Sequence, residues 1–383
     1  MPKPIRVGLL GIGQRGLQHL NMLWNLQEEG LVNVVALGDA FEENLGEEKI
    51  GRYVKGFRIG EIGTYGTFDE MLAGREMDAL YVSIPPGVHD REVVRAAGAD
   101  IHLFVEKPMS LYMDEATEME QAIDGSGVLC AVGFQMRYDT WNDAVRTFLA
   151  DKRMAMITIV SNGSLESHSV KHTATEQVGG PSNRVWAASY EWSGASIVES
   201  AIHQTDLMRY WCGNIAWVRA DYVARDPADI EDGGDNPYAY SVTYGFERGG
   251  LANILMTKLR KTYYGDGYQD IAWNHGHLKM GPEGPIAYYY DGPYPPPTRP
   301  DADELRHSLP VPSRNNSTEA INRAFVEAVI SGDPGKIRSS FPESMNSLAA
   351  VLAANASDRL GGEKIDLKAF PVEPKYAEFR KRG

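Results

Sequence analysis

Short apolar runs at residues 5–10, 32–37, 79–84, 101–105 and 128–132 punctuate the first third of the chain. Between the first two lie Leu17, Leu20, Leu23, Trp24 and Leu26, an apolar stripe at helical spacing. Further helices are predicted over 90–97, after the Ser83-Ile84-Pro85-Pro86 turn, and over 114–123, where Ala116, Met119 and Ile123 share a face. Strands alternating with helices predict βαβ units and a parallel sheet. Right-handed crossovers then make the domain doubly wound.

The pattern changes after about Tyr138. Residues 156–161, 216–223, 238–246 and 251–259 alternate with period two, as in Tyr240-Ser241-Val242-Thr243-Tyr244. Gly249-Gly250 reads as the hairpin turn joining the last two strands. These runs predict a large, mostly antiparallel open sheet with helices on one face. Residues 287–299 are rich in Tyr and Pro and are predicted to form a loop, because Pro295-Pro296-Pro297 cannot pair in a sheet. Helices are predicted over 318–330 and 343–360, with Gly361-Gly362 as the stop. The expected class is α/β: a doubly wound domain over 1–136 and an α+β domain over 137–383.

Composition narrows the partners. The 383 residues suit two domains, and 43% hydrophobic with 23% charged residues is ordinary for a globular protein. Lys and Arg number 38 against 52 Asp and Glu, a net charge of −14. That balance, with no basic cluster, argues against a nucleic-acid partner. No apolar run approaches the roughly 18 residues of a membrane span. Cys130 and Cys212 sit in apolar surroundings and read as buried free thiols. The N-terminus carries no charged segment followed by an apolar one, so a cytoplasmic location is expected.

The first chemical motif is Gly11-Ile12-Gly13-Gln14-Arg15-Gly16, between an apolar strand and an amphipathic helix. Gly11 would make the tight turn, Gly13 would admit a pyrophosphate, and Gly16 would permit close helix–strand packing. The helix N-terminus would face the phosphates. Asp39 ends the second strand, 23 residues after Gly16, where an acid is expected to bond the ribose 2′-OH. A carboxylate there repels a 2′-phosphate, so NAD is expected over NADP.

Glu106-Lys107-Pro108 follows the strand at 101–105, at the edge where open α/β sheets bind ligands. Lys107 could donate to a substrate oxygen or could be a surface lysine. Glu199, His203 and Asp206 are spaced i, i+4, i+7 and are expected on one helix face. That face could hold a histidine base supported by a carboxylate, or could simply be a hydrogen-bonded packing face. No metal site is expected: that face has one histidine and no Cys/His cluster completes it, and His275-Gly276-His277, though like a His-x-His pair, is read as a turn between strands. Trp186, Tyr190 and Trp192 could stack on a sugar or fill the core. The polar segment 168–180, with His168, Lys171 and His172, supports no assignment.

Together these residues resemble the Gfo/Idh/MocA oxidoreductases, the glucose–fructose oxidoreductase and inositol dehydrogenase family. The resemblance runs over nearly the whole chain. It rests on the Gly11–Gly16 loop, Ile84-Pro85-Pro86-Gly87-Val88-His89, Glu106-Lys107-Pro108, Gly133-Phe134-Gln135-Met136-Arg137-Tyr138 and the Glu199–Asp206 segment. It implies a Rossmann domain binding NAD through Gly11, Ile12, Gly13, Gln14, Arg15, Gly16, Asp39, Pro85, Pro86, His89, Glu106 and Lys107. It implies catalysis by Lys107, which orients the reacting hydroxyl, and by His203, which exchanges its proton, with Glu199 beside them. Glu199 stands where the family usually has Asp, so its contact with Lys107 or substrate is left open. Arg137, Tyr138, Trp186, Glu199 and His203 are assigned to the substrate side. Dimers or tetramers built through the open sheet face are also implied.

The expected activity is NAD-dependent oxidation of a secondary hydroxyl on a sugar, an inositol-like polyol or a glycoside. Two alternatives share the same residues. One is an NAD-assisted glycoside hydrolase that oxidises, eliminates, hydrates and re-reduces. The other is a non-enzymatic sensor that kept the nucleotide fold.

Overall fold

The structure is a computed structural model and describes residues 3–74, 76–164, 186–230, 233–259, 262 and 264–382. The segment carrying His168, Lys171 and His172 lies outside the described residues.

Six parallel strands form the first sheet: β1 (Ile5–Leu10), β2 (Val32–Gly38), β3 (Gly63–Tyr65), β4 (Ala79–Val82), β5 (His102–Val105) and β6 (Cys130–Val132), in the order β3-β2-β1-β4-β5-β6. The helices of this part are α1 (Gln14–Glu28), α2 (Glu47–Gly51), α3 (Phe68–Gly74), α4 (Glu92–Gly98) and α5 (Met113–Ser126). The chain leaves β1 in one direction and returns at β4 on its other side. The crevice of such a doubly wound sheet therefore opens beyond the carboxyl ends of β1 and β4.

The α6 helix (Thr140–Leu149) leads into a nine-stranded sheet ordered β14-β13-β12-β11-β7-β10-β9-β8-β15. Its strands are β7 (Met154–Ser164), β8 (Ile215–Val223), β9 (Ala239–Phe246), β10 (Leu251–Leu259), β11 (Asp266–Trp273), β12 (Gly276–Gly281), β13 (Gly284–Tyr289), β14 (Arg306–Ser308) and β15 (Ile365–Asp366). Only β7 and β10 run parallel; every other pair is antiparallel. Gly249 and Gly250, at φ +86° and +87°, form the tight turn between β9 and β10. The predicted loop at 287–299 begins too early. Ala287, Tyr288 and Tyr289 belong to β13, paired with both β12 and β14, and the irregular stretch starts only after them.

Among the described residues between β7 and β8 lie three helices, α7 (Tyr190–Ser193), α8 (Ala195–Glu199) and α9 (Ile202–Cys212). After β14 come α10 (Ser317–Ser331) and α11 (Phe341–Arg359). The two sheets share one continuous core, in which Leu348, Val351 and Leu352 of α11 join Met119 of α5 and Val218 of β8. A second core lies on the opposite face of the first sheet. There Ile321, Phe325 and Val326 of α10 pack with Leu17, Leu20, Tyr81 and Phe104. The chain thus returns late to complete the first domain. Both cysteines are buried and free. Among the described residues no helix is long and apolar enough to cross a membrane.

Candidate active site

The first wall of the site is the glycine loop. Gly11 has φ +92°, and a Cβ there would lie 2.5 Å from the Ser83 carbonyl oxygen. A Cβ on Gly16 would lie 1.9 Å from the Gly11 carbonyl oxygen. Side chains are excluded at both points, which lets the loop press against the β4 exit. The α1 helix starts after Gly13 with no side-chain cap and no acidic residue in its first turn. Its leading N–H groups are therefore open to an anion. This cradle fits the pyrophosphate of a dinucleotide, with Gly11, Ile12, Gly13, Gln14, Arg15 and Gly16 as the residues that could hold it.

Asp39 stands beside the loop and is itself part of the cradle. Its Oδ2 accepts from the Ile12 N–H at 2.7 Å. Its Oδ1 accepts from the Phe41 N–H at 2.9 Å and from Asn44 Nδ2 at 2.8 Å. One carboxylate therefore ties the glycine loop to the turn after β2.

The β4 exit contributes Pro85, Pro86 and His89. Pro86 is buried, and the turn Pro86–Val88 packs on α7, where a Cβ on Gly87 would lie 3.2 Å from Trp192 Cα. Trp192 is 43% exposed, so of the three aromatics singled out it presents an open face beside this turn. Trp186 is half-buried in a single helical turn preceding α7. Tyr190 is half-buried with Arg359 over its ring. His89 is buried, and burial followed by the Arg382 charge pushes its pKa down to about 4. Its carbonyl oxygen accepts from Arg382 Nη2 at 3.1 Å.

The β5 exit carries Glu106 and Lys107. Glu106 is 7% exposed. Its Oε1 accepts from Arg15 Nε at 2.7 Å and lies 2.8 Å from His19 Nε2, while its Oε2 accepts from the Lys107 N–H at 3.0 Å. Burial alone would raise its pKa. The Arg15 charge, the His19 hydrogen bond and Lys107 outweigh burial and hold the carboxyl well below its usual range. A Cβ on Gly133 would lie 2.6 Å from Oε1, so only glycine leaves the carboxylate its seat.

Lys107 reaches across to the second domain. Its Nζ donates to the Glu199 carbonyl oxygen at 2.8 Å and to Glu199 Oε1 at 3.2 Å. The longer Glu side chain therefore contacts Lys107 directly.

The local chain path explains the contact. Gly194 and Ala195 both take left-handed φ, +69° and +74°, although Ala195 has a Cβ and is fully buried. Asn355 Nδ2 fixes the Gly194 carbonyl at 2.8 Å, and the Ser196 N–H donates to the Tyr240 hydroxyl at 3.2 Å. Held strain of this kind aims a short element. The helix then breaks at Ser200–Ala201, where both N–H groups bond the Ser196 carbonyl. Glu199 consequently ends α8, while His203 and Asp206 lie on α9. The single helix face expected from their spacing is thus corrected: a turn of altered winding separates Glu199 from the other two.

His203 is half-buried, and its Nδ1 is sealed from solvent without a hydrogen-bond partner. Burial, then the Lys107 charge, push its pKa down to about 3. It stands as a neutral imidazole, and among the cations around it Lys107 acts on it most strongly.

Asp206 does not support that imidazole. Its oxygens accept from Arg137 Nε at 2.8 Å and Arg137 Nη2 at 2.7 Å, and Oδ1 accepts from Ser347 Oγ at 2.8 Å. The assignment of Arg137 and Tyr138 to substrate is corrected by the same geometry. Arg137 is 2% exposed, and its Nη1 donates to the Arg338 carbonyl at 2.9 Å and to Glu343. The buried Tyr138 hydroxyl accepts from the Arg338 N–H at 2.7 Å. Both side chains tie the segment after β6 to the stretch leading into α11, and Arg137 ties it to α9 as well. His277 bonds Asp270 at 2.9 Å, and the described residues hold no group of three or more potential metal ligands.

Sequence reasoning gave no role of their own to His19, Gly133, Ala195 and Asn322. His19 alone had a visible signal, as a polar residue inside the buried stripe of Leu17, Leu20 and Leu23.

Residues 5–134 match the sequence model of a family described as "Oxidoreductase family, NAD-binding Rossmann fold", the Gfo/Idh/MocA family. Over that N-terminal third the chain carries the NAD-binding Rossmann domain of the Gfo/Idh/MocA oxidoreductases. It is similar to the uncharacterized oxidoreductase YrbE of Bacillus subtilis, 27% identical over 69% of this chain and 70% of that one. It is 26% identical to the myo-inositol 2-dehydrogenase of Thermotoga maritima over 68% of this chain and 70% of that one. A crystal structure of an oxidoreductase from Agrobacterium radiobacter, in complex with NAD+, L-tartaric acid and magnesium, shares the fold. Its TM-score is 0.71 at 15% identity, covering 96% of this chain and 99% of that one. The protein is accordingly an NAD(P)-dependent oxidoreductase acting on CH–OH groups.

Proposed function

We propose that the protein oxidises a secondary hydroxyl of a sugar or an inositol-like polyol, with NAD as cofactor. The observation that carries this reading is the meeting of Lys107, Glu199 and His203 beside the dinucleotide cradle. The named activity of the Thermotoga relative supports the polyol class.

Each side chain has a role its surroundings suit. Lys107, anchored by Glu199, donates a hydrogen bond to the substrate oxygen and stabilises negative charge developing there. His203 is neutral, and as the hydroxyl ionises it takes the proton. Burial, then the Lys107 charge, set its pKa of about 3. A bound alkoxide beside it favours the protonated ring and raises that value. The nicotinamide, when bound, supplies the hydride acceptor. Trp192 offers an aromatic face at the turn next to the site. Asp39 favours NAD, because a 2′-phosphate would meet its charge.

The open face of the large sheet supports a homodimer or homotetramer. Met156 pairs with Leu251, and Val160 lies between Leu255 and Tyr268. Met156, Leu251, Leu255 and Tyr268 are each at least 40% exposed. An apolar patch of this kind on a sheet marks an association surface, and light scattering on the purified protein reads the assembly directly.

The function is tested by incubating the protein and NAD with a panel of inositols, free sugars and aryl glycosides while following NADH and released phenol. NADH accumulation with a polyol or sugar is expected. Phenol release without NADH would overturn the dehydrogenase reading, as would reduction of keto-sugars alone when NADH is supplied.

A further inference from the structure

His19 is an unusual occupant of its place. It sits on the buried face of α1, fully enclosed, with its ring centroid 5.4 Å from that of Tyr81 and 4.8 Å from that of Phe104. The neighbouring buried positions of this helix are Leu17, Leu20 and Leu23. A leucine would satisfy the packing, and burying an imidazole costs desolvation that a leucine avoids. The ring therefore needs polar partners, and it has two. Nε2 lies 2.8 Å from Glu106 Oε1, and Nδ1 lies 3.1 Å from Asn322 Oδ1. The amide of Asn322 is oriented by its own bond from Nδ2 to the Thr318 carbonyl at 2.7 Å. A bridge thus runs from α10 through His19 to Glu106, whose other oxygen holds the Lys107 N–H.

We infer that His19 is a positioning residue for Lys107, acting through Glu106. The inference rests on the reading of Lys107 as the residue that polarises the hydroxyl. The backbone of Lys107 is fixed by Glu106 and its ammonium by Glu199, so the side chain spans two anchors. Glu106 is in turn held by Arg15 and His19, and Gly133 closes the remaining side. Arg15 is partly open to solvent and lies on the cofactor loop, whereas His19 is sealed. His19 is therefore the anchor that stays in place as the cofactor enters and leaves. A shift of about 1 Å at a reacting group is enough to cost on the order of a hundredfold in rate.

The test uses an isosteric pair in the full-length protein, His19→Gln and His19→Met. Both match the length of the ring, and only the amide can donate to Glu106. Turnover of myo-inositol with NAD is one readout. NADH affinity by fluorescence is a second. A third needs no substrate: reductive 13C-methylation followed by NMR of the Lys107 signal, identified by its loss in Lys107→Arg. Expected for His19→Met are a displaced Lys107 signal and a kcat about tenfold lower, with KM and NADH affinity within about twofold. His19→Gln should restore the Lys107 signal and keep kcat within about threefold. Asn322→Leu, which frees Nδ1 from the other end, should move the same signal in the same direction and serves if neither His19 variant folds. An unmoved Lys107 signal in both His19→Met and Asn322→Leu would overturn the inference. Full turnover in Lys107→Met would instead remove the catalytic reading, and this inference with it.

Discussion

Lys107 and Glu199 meet across the two domains through two contacts, Nζ to the carbonyl oxygen at 2.8 Å and Nζ to Oε1 at 3.2 Å. The backbone contact does not depend on the side chain at 199. The carboxylate adds charge balance for an ammonium that is itself mostly buried. Substituting Glu199→Gln preserves length and the backbone contact and removes only the charge. Turnover should fall about tenfold, against a hundredfold or more for Lys107→Met, the range over which positioned acid–base groups act. Steady-state kinetics on the substrate found by the panel checks this. Equal losses in the two variants would mean that the carboxylate's charge matters to the step as much as the amine does.

Asp206 and Arg137 are each almost fully buried and bonded through two parallel contacts. Breaking such a pair from one side strands a charge in the interior, which costs roughly 3–5 kcal/mol. Asp206→Ala should lower the urea midpoint strongly. Where the variant folds, His203 should keep its function, since Asp206 does not touch it. A near wild-type midpoint would show that Asp206 is not a structural partner. An intact midpoint with lost turnover would return it to the active site.

Acid should destabilise the protein above the range where carboxylates titrate. His89 and His203 are held neutral, with pKa values near 4 and 3, chiefly by burial. Unfolding restores the ordinary histidine value of about 6.5, so below that pH the unfolded chain binds more protons than the folded one. Stability is complete above 6.5 and is lost as the pH falls toward 4, where His89 charges, and on toward 3. The urea midpoint should therefore drop between pH 7.5 and 5. The drop should shrink in His89→Leu. A flat midpoint across that interval would contradict the neutral burial of both rings.

The legible and illegible parts of this molecule divide by the range of the interaction. Strand β1 and strand β10 match their predicted bounds, because period and flanking glycines are local signals. Gly11 and Gly16 were singled out the same way, from their immediate neighbours, whereas Lys107 stood out only through the family resemblance. Strand β3 was missed because three residues are too few to show a period. Arg137 was misassigned because its partner lies 69 positions away, and a sequence does not say which carboxylate an arginine will meet. Gly133 is the sharpest case. Its need for glycine comes from Glu106, a residue on a neighbouring strand exit whose seat exists only after folding.

Asp39 carries the last prediction, and its geometry changes what a cofactor-switch experiment should show. An acid at the end of β2 that only read the ribose could be replaced by a neutral residue to admit NADP. Here the same carboxylate also receives the Ile12 N–H at 2.7 Å and the Phe41 N–H at 2.9 Å, so it fixes the glycine loop. Asp39→Ser removes the repulsion of a 2′-phosphate and shortens the reach to Ile12 together. NADH affinity should therefore fall at least tenfold while NADPH affinity gains little, leaving a weak binder of both. Asp39→Asn, which keeps one acceptor oxygen for the loop, should lose less NADH affinity and gain more for NADPH. Fluorescence titration of both cofactors against both variants decides it. A clean switch to NADPH in Asp39→Ser would show that the loop holds its shape without Asp39. Unchanged NADH affinity there would show that neither the loop nor the ribose depends on this carboxylate.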